Sequence, residues 1–357
     1  MKIIDRYILK KFLSTYIFVV LILVAIIVMI DLTEKNDDFI QHNLTLEPIL
    51  KYYLAFIPFV ANLITPITVF IATVFVTAKM AGQTEIIAIL SSGISFRRMM
   101  LPYFIGAILI AVVSFYFNGW VIPDSNKYRV AFEVEYVKKP FYYDERNIHI
   151  KVAPTSYLYM EHYNNQANVG YRFTLETIEN NELKEKLTAK RIEWQEDSAR
   201  WRIKEWKLRT FDGFRETVTF GEEMDTVLKI LPKDFGNTYR QNEAMTIDEL
   251  NDHIEELRGR GSVEAEIYVI EKYIRYMMPF TVLILTFIGL TVSSRKARGG
   301  AGFQIALGFL IAFIFIIAYI MSRSIAQAGT MNPLLAVWLP NIIFTIVGIV
   351  MYKTVPR

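Results

Sequence analysis

The 357-residue sequence has no cysteine, so disulfides are excluded and each folded part must be stabilised by its own core. It has no Gly-x-x-x-x-Gly-Lys-Ser/Thr motif, which excludes a P-loop for nucleotide phosphates. The stretch Gly93-Ile-Ser95-Phe-Arg97 is not a nucleophile elbow, because arginine replaces the last glycine. The four histidines are scattered without metal-ligand spacing. We therefore expect no enzyme, and no metal or cofactor bound by this chain.

Apolar residues are abundant instead. They make up 53% of the chain, and they collect in runs of about 20 residues, the length that crosses a bilayer. Six runs are candidate transmembrane spans: Phe12–Ile30, Leu54–Thr77, Met99–Ile122, Tyr276–Val292, Ala301–Ser322 and Leu335–Tyr352. The second run contains Pro58 and Pro66, and proline inside a spanning helix predicts a kink. The third closes with Trp120 at interface depth, before Pro123.

A polar stretch of about 150 residues separates the third run from the fourth, enough for one domain. Residues 122–272 carry 23 Lys and Arg against 29 Asp and Glu, a net charge of −6, whereas the rest of the chain carries +9. The sequence thus predicts three parts: residues 1–123 with spans one to three, residues 124–270 as an inserted domain, and residues 271–357 with spans four to six.

Basic residues near the ends of the spans set the predicted orientation. Twelve fall on one side of a six-span arrangement: Lys2, Arg6, Lys10, Lys11, Lys79, Arg97, Arg98, Arg295, Lys296, Arg298, Lys353 and Arg357. The short loops on the other side hold only Lys35, Lys51 and Arg323. We therefore expect both termini in the cytoplasm and the inserted domain outside it.

The inserted domain has the alternation of β-strands. Residues 148–152 and 171–175 alternate regularly, so Tyr171, Phe173 and Leu175 are expected to face the interior together. Residues 200–208 alternate but change phase, which predicts a bulge near Glu205. Short strands and turns indicate an extracytoplasmic all-β sandwich, jelly roll or open barrel. The large aromatic side chains suit either an ordinary core or an apolar trough for lipid.

Two helices are predicted between this domain and the fourth span. The spacing Thr246-Ile-Asp-Glu249 is that of a capping box, and the helix it begins should end at Gly259 or Gly261. Ser262 is placed to cap a second helix that continues into span four.

The stretch Gly82–Ser95, between the second and third spans, predicts a short helix over residues 84–93. Thr84 is a candidate N-cap, and Gly93 a candidate C-cap. A helix of about three turns is unstable alone in water and must dock against something. It fits a coupling helix that enters a groove on a cytoplasmic partner, and equally a helix lying on the bilayer or tucked into the bundle.

These residues resemble a known family. The pattern Glu85-x-x-Ala88-x-x-x-x-Gly93-x-Ser95 follows span two, Trp120-Val-Ile-Pro123 closes span three, and Trp338-Leu-Pro340 lies in span six. With Ile4-Asp5-Arg6-Tyr7-Ile8 near the start, the order resembles the LptF/LptG (YjgP/YjgQ) permeases of the lipopolysaccharide export ABC transporter, and more closely LptG. The resemblance covers essentially the whole chain.

The resemblance implies a bacterial inner-membrane protein with a jelly-roll-like periplasmic domain, and it implies partners. These are a second LptF/LptG-like permease, a cytoplasmic LptB-like ATPase dimer that uses ATP and Mg, LptC/LptA-like periplasmic proteins and lipopolysaccharide, with no nucleic acid. It also implies that the ATPase-coupling residues are Glu85, Ile86, Ile89, Gly93 and Ser95.

One departure concerns the lipid phosphates. LptG-type subunits carry basic residues at the outer end of span one, where this chain has Asp31-Leu-Thr-Glu-Lys35-Asn-Asp-Asp38. The candidate phosphate contacts are Lys35, Lys127, Arg129 and Arg323, and the candidate lipid conduit is Tyr171, Phe173 and Leu175. Two other classes remain open: a mechanotransmission-type ABC permease, against which six spans argue, and a non-transporting membrane scaffold or sensor.

Overall fold

The computed structural model describes residues 3–139, 141–213, 215–236, 238–262, 264–294 and 300–353, without the side chains of residues 300 and 301. Five of the twelve basic residues used for orientation lie outside these ranges: Lys2, Arg295, Lys296, Arg298 and Arg357. The chain divides into two compact units. A helical unit contains residues 1–137, 241–251 and 266–357, and a β unit contains residues 138–240 and 252–265.

The described residues form ten α-helices: α1 (Ile3–Gln41), α2 (Leu46–Leu63), α3 (Thr65–Gly82), α4 (Glu85–Ser91), α5 (Phe96–Tyr116), α6 (Ile122–Phe132), α7 (Ile247–Gly259), α8 (Ala265–Ser293), α9 (Gly300–Gln327) and α10 (Pro333–Tyr352). Six helical stretches are long and apolar enough to cross a membrane: 3–41, 65–82, 96–137, 265–293, 302–327 and 333–352. The six predicted spans are thereby confirmed.

The second span differs from its predicted bounds. The expected single helix over 54–77 is two helices, α2 and α3, which meet at Ile64. Pro66 lies in the first turn of α3 rather than kinking a continuous helix. Its missing N–H is no loss there, because the first amides of a helix have no acceptor within the helix. Only α3 is apolar enough to count as a span.

The third span is longer than predicted. After α5 the chain makes a π-helical turn over Phe117–Val121, continues as α6, and makes a second π-helical turn over Glu133–Val137. Pro123 does not end the helix as expected, because it lies in the first turn of α6, where its ring is tolerated. Gly119 in the first π-helical turn lies against Ile247, and a Cβ there would approach the Cδ1 of Ile247 to 2.9 Å.

The predicted capping box is confirmed. The amide of Thr246 donates to Glu249 over 2.8 Å, and the amide of Glu249 donates to the Thr246 hydroxyl over 3.2 Å. Helix α7 ends at Gly259, and Gly261 has a φ of +68°, the left-handed backbone that glycine tolerates. The Ser262 hydroxyl accepts from the amide of Glu264 over 3.3 Å, and α8 then continues into the fourth span as predicted.

An antiparallel sheet of six strands lies between spans three and four, which confirms the inserted β domain. Its strands are β1 (Arg146–Ala153), β2 (Ser156–Asn164), β3 (Val169–Glu179), β4 (Glu182–Gln195), β5 (Arg200–Asp212) and β6 (Arg215–Thr226). They pair in the order β1-β2-β3-β4-β5-β6, so each strand lies beside its neighbours in sequence. The described strands therefore form a meander.

A crease crosses this sheet. Three residues in alternate strands, Asn147, Arg172 and Glu205, have φ values of +56°, +50° and +50°. The strand pairs on either side place them in one row with residues of the intervening strands: Asn147, Glu161, Arg172, Lys190, Glu205 and Glu222. Left-handed backbone is rare for residues other than glycine and unusual inside strands. The sheet departs from regular β geometry along this row.

The crease explains the phase change predicted in β5. No residue is inserted near Glu205, since the register with both neighbouring strands is the same on its two sides. Ile203 and Trp206 nevertheless pack on the same apolar cluster, although residues three apart in a regular strand face opposite ways. The expected bulge is therefore wrong in form, because a residue with left-handed backbone shifts the alternation without an inserted residue.

The core of the β unit is one aromatic cluster. Trp201, Phe173, Tyr163 and Phe235 are its large fully buried side chains. The Trp201 indole N–H donates to the carbonyl of Ile230 over 2.8 Å, which ties the segment after β6 to the sheet. This part of the chain buries its core without disulfides, as the lack of cysteine requires.

Candidate functional site

Helix α4 is short and lies between α3 and α5, at the position predicted for the short helix. Thr84 precedes it but does not cap it as expected: its φ is +61°, and its hydroxyl donates to the Gln83 carbonyl. Gly93 follows with a φ of +84°, which a residue without a side chain adopts at little cost. Ser95 belongs to the next helix: its hydroxyl caps α5 by accepting from the Arg98 amide over 3.4 Å.

The faces of α4 differ in exposure. Ile86 is buried in the bundle core, and Ile89 and Leu90 are partly buried against the same core. Ile87, 50% exposed, shares the opposite face with exposed Ala88 and Ser91. Ile86 and Ile89 therefore hold α4 to its own chain, whereas the resemblance implied that they contact a partner. The face available to a partner is formed by Ile87, Ala88 and Ser91. The sequence did not show which of the apolar residues of α4 would be exposed.

The Glu85 carboxylate at the start of α4 is bound by helix α1. The Tyr7 hydroxyl donates to it over 3.0 Å, and the Lys11 ammonium donates over 3.1 Å. About a quarter of the Glu85 side chain is exposed, with 28% accessible beside 32% for Lys11. Glu85 thus faces both α1 and the solvent, so a cationic partner can still reach it. The sequence showed the carboxylate but not these two partners, which lie 74 and 78 residues away.

Two further contacts join the helices at this end of the bundle. Arg98 at the start of α5 donates to the buried carboxylate of Asp5 in α1 over 2.6 Å. Arg97 donates to the Tyr352 hydroxyl at the end of α10 over 3.1 Å. The first residues of α5, which follow α4, are therefore bound to α1 and α10.

A second ion cluster surrounds Lys35 near the other end of α1. Its ammonium lies 2.8 Å from Asp31 and 3.3 Å from Glu133, and it also donates to the Tyr52 hydroxyl. Only 13% of the Lys35 side chain is exposed. Ion pairs between side chains as buried as these require short distances and well-placed partners, because the charges have lost most of their water. Lys35 therefore binds carboxylates of its own chain where a phosphate contact was predicted.

Arg129 belongs to the same cluster and is fully buried, with 0% of its side chain exposed. It donates to Glu133 over 3.3 Å, to Glu243 over 2.5 Å and to the side-chain oxygen of Asn126 over 2.8 Å. Its guanidinium also covers the ring of Phe59 at 4.1 Å. The segment around Glu243 is thereby fixed to α6.

The other two phosphate candidates differ from this pair. Lys127 is half exposed and binds Asp124 over 2.9 Å and Glu249 over 3.0 Å. Arg323 in α9 is partly exposed and interacts with Tyr319, one turn before it. The four cations are not gathered around one pocket of shared ligands: two lie in the buried cluster and two are separate. Among the described residues, no group of three or more His, Asp or Glu is placed to hold a metal ion.

The conduit candidates do not share a face. Phe173, 1% exposed, and half-buried Leu175 pack in the aromatic cluster, whereas Tyr171 lies outside it and stacks on His162 at 4.4 Å between ring centroids. The expectation that Tyr171 faces inward is wrong, because Arg172 between it and Phe173 has left-handed backbone and shifts the alternation. Trp206 and Leu208 border the cluster as Leu175 does, and the sequence did not identify them as candidates for a lipid route.

Comparison with known proteins identifies the family of this chain. A search of curated proteins finds no match. The family model of the lipopolysaccharide export system permeases LptF/LptG matches residues 6–354, nearly the whole chain, and it does not separate LptF from LptG. Six apolar helices and an inserted antiparallel sheet agree with a multi-pass inner-membrane permease. The chain therefore belongs to the LptF/LptG family, the permeases of the lipopolysaccharide export ABC transporter.

Proposed function

We propose that this chain is a permease subunit that extracts lipopolysaccharide from the inner membrane and passes it to a periplasmic bridge for export to the outer membrane. A separate LptB-like ATPase dimer hydrolyses ATP with Mg, and a second LptF/LptG-like subunit pairs with this one. LptC/LptA-like proteins take the lipid onward. The observation that supports this proposal most directly is the orientation of α4. Ile86 is buried in the helical bundle, and Ile87, Ala88 and Ser91 are exposed.

Energy input is required by the chemistry of the cargo. Moving an acyl chain from a bilayer into water costs about 0.8 kcal/mol per CH₂, so a chain of roughly twelve carbons costs about 10 kcal/mol. A lipid with several chains cannot leave the membrane at a useful rate without a driving reaction and an apolar shelter. A docking helix for an ATPase and an apolar sheet beyond the membrane supply these two requirements.

The docking role of α4 is tested with Glu85→Ala in the full chain, assembled with the ATPase that co-purifies with it. A hydrogen bond to a charged group contributes roughly 1.5–3 kcal/mol, so we expect a clear loss of bound ATPase or of hydrolysis coupled to lipid release. Lys51→Ala, an exposed charge on α2, is the control because it lies outside α4. Unchanged binding and transport in Glu85→Ala would refute the docking role.

We also propose that both termini and α4 are cytoplasmic, and that the β unit is periplasmic. The positive residues beside the spans support this orientation. Because the chain has no cysteine, a single cysteine at Asn180, in the turn between β3 and β4, reports its own accessibility. Labelling from the periplasmic side is the expected result, and labelling only from the cytoplasmic side would reverse the orientation.

The proposed lipid route follows the apolar face of the sheet where that face is not closed. Phe173 is enclosed by the core, but Leu175 beside it is only half buried and borders the same cluster. A photo-crosslinker at Leu175 should therefore capture lipopolysaccharide during ATP turnover, and one at Thr174 should not, because successive strand residues face opposite ways. Equal capture at both positions would remove the sheet from the route without affecting the docking role of α4.

A further inference from the structure

Helix α1 is one unbroken helix of 39 residues, Ile3–Gln41, with polar contacts near both ends. Lys11 lies in the cluster beside α4, and Lys35 lies in the cluster beside α6. At 1.5 Å per residue, the 24 residues between them extend about 36 Å. A bilayer has a hydrocarbon core of about 30 Å, so the two clusters lie near its two boundaries.

The first cluster fixes the start of α1 to the helices around the docking segment. Tyr7 and Lys11 both bind Glu85, the first residue of α4, and Asp5 binds Arg98 just beyond it. Lys11 also lies 4.2 Å from the centre of the Tyr7 ring, so the two donors support each other. A displacement of α4 therefore acts directly on α1 through Tyr7 and Lys11, and α5 is bound to α1 through Asp5.

The second cluster fixes the other end of α1 to the part of the chain that borders the β unit. Asp31 and Lys35 bind Tyr52, and Lys35 binds Glu133 in the π-helical turn that ends the third span. Arg129 joins Glu133 to Glu243, in the segment that returns from the β unit. The chain passes between the helical unit and the β unit at four places, and two of these, after residue 137 and before residue 241, lie within a few residues of this cluster.

The middle of α1 is less buried than the residues on either side of it. No residue between Phe12 and Val24 is buried within the described part of the chain. Isoleucine, leucine and phenylalanine side chains point outward along this stretch, where the bilayer is their solvent. Tyr16 contacts the Thr65 hydroxyl over 3.2 Å and Leu13 packs on the bundle core, but the backbone hydrogen bonds keep the length of α1 constant, so a displacement of one end is carried to the other.

We propose that α1 is a strut that transmits displacement of α4 to the buried ion cluster around Lys35 and Glu133, and that Tyr7 and Lys11 are positioning residues that attach Glu85 to this strut. The proposal rests on the proposed function in one respect, that α4 receives the ATPase. Glu85 then has two separable roles: it meets the partner through its exposed part and α1 through Tyr7 and Lys11.

The first test separates these roles by measuring three quantities in the assembled transporter: the amount of co-purified ATPase, the rate of ATP hydrolysis, and the lipid released per ATP. Lys11→Met and Tyr7→Phe should retain bound ATPase and most of the hydrolysis, because the outer face of α4 is untouched. Lipid released per ATP should fall about tenfold, since a charge-assisted bond is lost. Lys10→Met removes the same charge from the next, exposed position and should change none of the three.

A second readout does not depend on transport. Spin labels on cysteines at Ser14 in α1 and Ile87 in α4 report the distance between the two helices, and the chain has no other thiol. The distance distribution should be narrow in the parent and in Lys10→Met, and broad in Lys11→Met. Equal widths in all three would show that Lys11 does not attach α4, and would overturn the proposal even if a variant transports poorly for another reason.

The far end of the strut is tested with Lys35→Met against Lys51→Met, which breaks an exposed pair with Glu47 on α2. Lys35→Met should reproduce the Lys11→Met phenotype: ATPase bound, ATP hydrolysed, and lipid release per ATP reduced. If Lys35→Met lowers the lipid released per ATP no more than Lys51→Met does, α1 does not transmit the displacement of α4. If Glu85→Ala has no effect while the label distances still depend on Lys11, the docking role fails and the attachment of α4 to α1 stands.

Discussion

The helical unit and the β unit place their charges in different ways. In the helical unit, Arg129 and Arg275 are fully buried, and each donates to at least one group on another segment of the chain. In the β unit, ion pairs such as Lys190 with Glu205 lie on the surface, with 68% and 63% of the two side chains exposed. A buried charge whose partner is removed keeps its desolvation penalty, whereas an exposed one returns to water.

This difference indicates which interactions determine how the segments of each unit are arranged. Apolar helices attract one another with little preference for one register, so the buried ion clusters define which segments of the helical unit meet. The sheet already has a register from its ladder of backbone hydrogen bonds, and its charges add little to it. The β unit depends instead on the crease and on the aromatic cluster that the crease brings together.

The largest expected effect is that of Arg129→Met. The substitution leaves the carboxylates of Glu133 and Glu243 buried without this guanidinium, and breaking one side of such a cluster costs about 3–5 kcal/mol. We expect a large fall in the midpoint of thermal unfolding of the detergent-solubilised chain. Lys127→Met, a half-exposed cation two residues earlier, should cost much less. Equal shifts would mean that the burial of a charged side chain does not decide how much its removal destabilises the helical unit.

A smaller effect is expected for Trp201→Phe in the β unit. It removes the indole N–H that donates to the Ile230 carbonyl, and a buried acceptor left unsatisfied costs about 1–3 kcal/mol. Trp206→Phe is a matched control on the same strand, because the Trp206 indole N–H is buried with no hydrogen-bond partner among the described residues. Resistance of the β unit to limited proteolysis in urea measures both. A loss at Trp206 as large as at Trp201 would contradict the role of this bond.

The smallest expected effect tests the crease. Glu205→Val places a β-branched residue in left-handed backbone, which costs about 1–2 kcal/mol, whereas Lys207→Val on the same strand meets ordinary extended backbone. Both side chains are exposed, so burial does not confuse the comparison. Glu205→Gly should be tolerated, because glycine adopts this backbone freely. Equal stability of the two valine variants to urea would contradict the conclusion that position 205 requires left-handed backbone.

Several elements were predictable because their physical causes are local. Runs of apolar residues identified six spans, the Thr246–Glu249 spacing identified the start of α7, and Gly93 marked the end of α4. The phase change in β5 was visible at Glu205, although its form was not. Each of these depends on residues that are close to one another in the sequence, so no contact with a distant segment was needed to identify it.

The features that the sequence did not predict depended on neighbours from distant parts of the chain. Ile86 and Ile87 are chemically identical, and only the packing of α4 on the bundle decided which one is buried. Tyr171 and Phe173 follow the same alternation, and only a row that crosses all six strands separated their faces. Lys35 and Arg129 have the chemistry of phosphate ligands, but the folded chain brings Glu133 and Glu243 to them.

By itself, the sequence determined the class of this protein: apolar length places six helices in a membrane, and the polar, alternating segment between the third and fourth places a β domain outside them. The tertiary structure alone decided the partners of the charged residues and the exposed face of α4. The physical reason is that transfer of an apolar run into a bilayer is a property of that run, whereas an ion pair requires two groups that only folding brings within about 4 Å.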